Sequence, residues 1–108
     1  MTGGDYKVGK MILQKFNAGN LGAGVSWVIP YGWRVLAVYS TDVDLPDLRM
    51  EFTTAAWHEV ETEEGNAWTP DANVWTPLPV MCRSDGVNVR LRNTGANVIT
   101  TLLIAYEE

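Results

Sequence analysis

This chain of 108 residues is poor in the side chains that do covalent and metal chemistry. It has one cysteine, Cys82, and one histidine, His58. A lone cysteine excludes an internal disulfide and any cluster of cysteine metal ligands. Basic residues are also scarce, eight Lys and Arg against thirteen Asp and Glu, for a net charge of −5. That balance argues against a nucleic-acid partner, which needs a basic face to neutralise phosphates. No apolar run approaches the length of a membrane span, so no membrane partner is expected. The start, Met1-Thr-Gly-Gly-Asp5, lacks the apolar core of a signal peptide, and no Asn-x-Ser/Thr acceptor occurs. The expectation is a protein without a signal peptide, made in a reducing cytoplasm. Helical periodicity is missing as well. Between Met11 and Tyr106, short apolar runs alternate with turn residues, the pattern of an all-β chain.

What is present is a series of strand signals. Residues 1–8 are polar and glycine-containing and read as a flexible N-terminal arm, with a single domain over 9–108. Strands are expected over residues 10–16, 25–29 and 33–40. Leu48, Met50 and Phe52 alternate with Arg49, Glu51 and Thr53, a half-buried strand. Trp57 and Val60 mark another. Pro70, Pro77 and Pro79 restrict residues 67–79 to short or edge strands. Residues 80–83 follow, then a Ser84-Asp85-Gly86 hairpin turn. Beyond it Val87, Val89 and Leu91 face inward while Asn88, Arg90 and Arg92 face out. The last strand covers 98–106. This is about eight strands at short spacing, and two antiparallel sheets packed as a jelly-roll-like β-sandwich bury their apolar faces best. An immunoglobulin-like sandwich is the alternative, without the paired cysteines that often mark it.

Charge is segregated along the chain. Lys7, Lys10, Lys15 and Arg34 outweigh Asp5 in residues 1–40, whereas residues 41–71 hold nine acids against Arg49. An ordinary solvated surface accounts for this, and so would complementary subunit faces.

Few residue groups suggest chemistry. Trp-Thr-Pro occurs at 68–70 and again at 75–77. Trp27 and Trp33 lie in apolar strands and read as core. Trp68 and Trp75 sit in proline-broken segments, so with Tyr31 they are candidates for stacking on a partner or a sugar ring. Capping the open ends of the sandwich is the plainer role for them. Asp42-x-Asp44-x-x-Asp47 would offer three oxygen ligands to calcium, while Asx turns explain the same residues without a metal. No other cofactor is suggested. His58 and Glu59 are adjacent, so on a strand they point to opposite faces and form no dyad. A single histidine also cannot build the multi-histidine metal site of a cupin-type jelly roll. Cys82 reads as a small buried hydrophobe. Glu61, Glu63 and Glu64 beside Gly65 fit a solvated hairpin tip better than glycosidase carboxylates.

Residues 35–39 and 98–105 are apolar on both strand parities. A strand apolar on both faces is covered on both sides, and Val35, Ala37, Tyr39, Ile99 and Leu103 are the expected interface of a homo-oligomer. The polar arm over residues 1–8 and the run Gly86-Val-Asn-Val-Arg-Leu-Arg-Asn-Thr-Gly-Ala-Asn-Val-Ile-Thr-Thr-Leu-Leu-Ile-Ala-Tyr106 resemble small virion proteins of tailed bacteriophages, the capsid decoration and head or tail accessory proteins with β-sandwich folds. The resemblance implies a non-enzymatic protein of the virion, often trimeric, attached to a larger capsid or tail protein. A carbohydrate-binding module or receptor-binding adhesin domain is the alternative. An enzyme is disfavoured because no convergent His, Cys or acid constellation is evident.

Overall fold

The computed structural model of the chain describes residues 5–8, 11–80, 83–85 and 88–108, with the backbone alone for 5–8 and 11–13. Its strands are β1 (Asp5–Val8), β2 (Met11–Leu21), β3 (Ser26–Val28), β4 (Arg34–Tyr39), β5 (Leu48–Thr53), β6 (Trp57–Glu59), β7 (Thr76–Pro77), β8 (Val89–Asn93) and β9 (Ile99–Glu107). The only helical turn among the described residues is a 3-10 turn at Leu45–Asp47. One sheet has the order β1-β2-β9-β4-β7 and the other β3-β8-β5-β6.

The pairings are nested. β5 pairs with β6, β4 with β7, β3 with β8 and β2 with β9, all antiparallel. A long hairpin folded over on itself produces this nesting. The pairs β4·β9 and β5·β8 then join its arms into two sheets. That is the jelly roll expected from the strand pattern. β1 adds an edge strand beside β2, so residues 5–8 of the expected arm are paired backbone. Residues 80–83 form no strand among their described members. Arg83 makes an isolated bridge to Arg34, and Met81, Cys82, Gly86 and Val87 lie outside the described residues.

The core lies between the sheets. Val38, Leu45, Leu48, Leu91, Ile99, Leu102 and Ile104 are fully buried there. Burying each such side chain contributes about 1.5–3 kcal/mol. At the β2–β3 flank, Trp33 stacks on Tyr106 with centroids 3.6 Å apart, and Phe16 and Trp27 pack around them. At the β6–β7 flank, Val60, Trp68 and Leu78 close the opening. Among the described residues the buried polar side-chain atoms find partners, apart from Arg34 Nε, which has none. Asn93 donates to the carbonyls of Leu21 and Asn97 and accepts from Gly95 N–H. The hydroxyl of Ser84 donates to the Ile29 carbonyl.

Candidate functional site

Three β-bulges decide which side chains the five-stranded sheet turns outward. Val35 pairs with Tyr106 and Ala37 with Ala105, so Leu36 is an extra residue in β4. Val35 and Val38 are buried, and Leu36 and Ala37 between them are partly exposed. In β2, Ala18 is likewise extra against β9. In β9 the bulge falls on Thr100 and Thr101, both exposed between buried Ile99 and Leu102. Thr101 has φ +46°, and its N–H is held by the side-chain oxygen of Asn20 at 3.0 Å. Each bulge shifts the alternation by one residue. Apolar residues on both parities of one strand therefore need not mean two covered faces. This corrects part of the expected oligomer interface: Val35 and Ile99 face the core at 2% and 0% exposure.

Ala37, Tyr39 and Leu103 do lie on the outer face. Asn17, Leu103 and Tyr39 form one row across β2, β9 and β4, and Lys15, Ala105, Ala37 and Pro77 form the next. Trp75, 37% exposed, packs against Tyr39 with centroids 5.3 Å apart. The middle of this face is apolar and its β2 margin polar.

The outer face of the four-stranded sheet is charged. Glu51, 7% exposed, accepts from Arg90 Nε at 2.7 Å and lies 3.8 Å from Arg92. Arg49 pairs with Glu59 at 3.1 Å. The Arg90 guanidinium also lies 3.9 Å from the centre of the Trp57 ring, within cation–π range.

The aromatic trio expected to bind a partner or glycan is not brought together. Trp68 is 5% exposed and its indole N–H donates to the Pro77 carbonyl at 3.0 Å, so it is core. Tyr31, 80% exposed, precedes the start of β4, whereas Trp75 packs on Tyr39 at its end. The six residues of β4 separate them by about 20 Å.

The three aspartates do not converge either. Asp42 Oδ1 accepts from the Asp44 N–H, and its Oδ2 accepts from the N–H and hydroxyl of Thr100. Those donors hold its carboxyl below the usual aspartate value of 3.8. Asp44 accepts from Asn97, and the carbonyl of Asp47 accepts from Thr94. Among the described residues no group of three His, Cys, Asp or Glu is placed to hold a metal. Asp42 instead ties the β4–β5 loop to the β9 bulge. Sequence reasoning missed this tie because the partner, Thr100, is remote in the chain.

His58 is exposed and packs against Phe52, while Glu59 on the opposite face pairs with Arg49. A cavity of about 620 Å³ opens among Met50, Phe52, Val60, Val80 and Val89, with Glu59, Glu61 and Asn88 at its rim. Among its described lining residues there is no histidine. No known protein family, characterised protein or solved structure matches this chain.

Proposed function

We propose that this protein is a non-enzymatic structural subunit of a phage virion, a self-associating capsid decoration or head or tail accessory protein. The observation that carries the reading is the apolar outer face of the five-stranded sheet, where half-buried Ala37, Tyr39 and Leu103 sit side by side around the covered Ala105, with exposed Trp75 at the margin. Contiguous exposed apolar surface marks interaction sites, and closed cyclic symmetry is the default for copies of one chain. A trimer is the expected state, attached to a larger capsid or tail protein. The jelly roll is compatible with this role, being common in viral shells, but it also serves lectins and enzymes.

The test is molar mass in solution by light scattering coupled to size exclusion. The expected result is a trimer that Leu103→Arg converts to a folded monomer. A wild-type monomer at all concentrations would remove the reading. The second reading, a carbohydrate-binding module or adhesin domain, rests on exposed Trp75 packed on half-buried Tyr39. It predicts a tryptophan fluorescence change on glycan titration that Trp75→Ala abolishes.

A further inference from the structure

On the outer face of the four-stranded sheet one cation is only loosely paired, and beyond its edge three carboxylates make no ion pair among the described residues. Arg49 on β5 and Arg92 on β8 stand directly opposite each other, and like charges in that relation repel. Arg49 turns aside, donating to the carbonyls of Pro46 and Leu48 and pairing with Glu59. Arg92 has no such set of partners. Its side chain is 42% exposed, and its one ion contact among the described residues is the 3.8 Å approach of its Nη1 to Glu51 Oε2, while Arg90 holds the other oxygen of that carboxylate at 2.7 Å. At 3.8 Å no hydrogen bond is made. Its neighbour on the edge strand β3 is Ser26, too short to cover a guanidinium. The fork of donors on Arg92 is therefore open to a carboxylate from outside.

Carboxylates of that kind stand at the other edge of the same sheet. After β6 the chain forms a hairpin closed by the Glu61–Ala67 bridge and turned at Gly65, φ +83°. Glu61, Glu63 and Glu64 on it are exposed and make no ion pair among the described residues. Two strand spacings, about 10 Å, separate β8 from β6. The hairpin lies beyond β6, so it does not serve Arg92 of its own chain.

We propose that the acidic hairpin of one copy docks on Arg92 beside Ser26 of the next. The two edges of one sheet then meet side by side in a heterologous contact, the type that closes into a ring when the rotation permits. This rests on the self-association proposed above but uses a different surface, so the two fail separately.

The test is charge exchange, read as molar mass at low and moderate salt with far-UV circular dichroism as the control for folding. Arg92→Glu, and separately Glu63→Arg with Glu64→Arg, are each expected to weaken self-association about tenfold. The three changes in one chain are expected to restore it. Arg92→Gln serves if Arg92→Glu perturbs the sheet through Glu51. The hairpin changes lie on an exposed tip and leave the core untouched. Unchanged mass and salt dependence in the hairpin variant, or no recovery in the combined chain, would overturn the proposal. If Leu103→Arg alone dissociates the assembly, the apolar face stands and this contact falls. If only the charge variants do so, the reverse holds. A monomeric wild type removes both.

Discussion

The two sheets of this sandwich share a core and differ on the outside. The four-stranded sheet turns Arg49, Glu51, Arg90 and Arg92 outward, and three of these four side chains find close partners within the sheet. The five-stranded sheet turns Ala37, Tyr39 and Leu103 outward, each half-buried, and closes Ala105 among them at 1% exposure. Water solvates the first face at little cost and the second at a cost proportional to its apolar area. Folding needs only the inner faces, and the apolar outer face is the surface proposed above to meet a second copy.

Leu102 and Leu103 are adjacent in β9 and test this division most sharply. Leu102 is fully buried and Leu103 is partly exposed on the outer face. Leu102→Ala is expected to cost about 3 kcal/mol in urea unfolding, because a cavity remains in a packed core. Leu103→Ala is expected to change the stability of the folded unit by no more than about 0.5 kcal/mol, and to act on association instead. Equal losses at both positions would mean that the outer face is covered within one chain.

On the charged face, Glu51→Ala is expected to cost about 2 kcal/mol, since it strands the well-covered Arg90. Arg92 is exposed enough to turn to water and adds little. Glu51→Gln keeps an acceptor and is expected to lose less. If Glu51→Ala unfolds at the wild-type urea midpoint, the charged lattice adds nothing to stability and its arrangement serves binding alone.

The contrast between the sheets also governs what was legible in the sequence. Leu48–Thr53 was readable to the residue, because Leu48 and Met50 alternate with Arg49 and Glu51 without interruption. The alternation of Val89 and Leu91 with Arg90 and Arg92 was equally plain. The five-stranded sheet was not readable in this way, because bulges shift its parity. In β2, Gly19 at φ +75° carries the ordinary glycine signal of left-handed backbone. A bulge on Thr-Thr has no such signal. Trp68 was misplaced for another reason. The prolines around it suggested exposed coil, yet proline excludes only ladder pairing, not burial, and the Pro77 carbonyl is the acceptor that lets the indole sit inside. The separation of Tyr31 from Trp75 depends on which end of β4 each adjoins, which requires the topology.

Thr101 gives a smaller effect. A β-branched residue at φ +46° is strained. Thr101→Gly is expected to raise stability by about 0.5–1 kcal/mol, the relief being partly offset by the entropy of glycine. An unchanged or lowered urea midpoint would mean that the threonine side chain itself holds the bulge.

The smallest effect is expected at Asp42, and its signature is pH dependence. Its carboxylate accepts three hydrogen bonds, from Asp44 and Thr100, and these lower its pKa below 3.8. A carboxyl whose folded pKa is depressed contributes stability above its unfolded pKa and loses that contribution as pH falls through the folded value. Wild type is therefore expected to exceed Asp42→Asn in stability by a constant margin at neutral pH, and the margin is expected to shrink to nothing as pH drops below 3.8. Because the donors are backbone and hydroxyl groups rather than cations, added salt should leave the margin in place while it weakens the Glu51 and Arg92 interactions of the opposite face. A margin that persists at low pH would assign the effect of Asp42→Asn to lost packing. One that disappears with salt would place Asp42 among the ion pairs. A margin lost only with acid marks it as the hydrogen-bonded tie that holds the end of the apolar sheet.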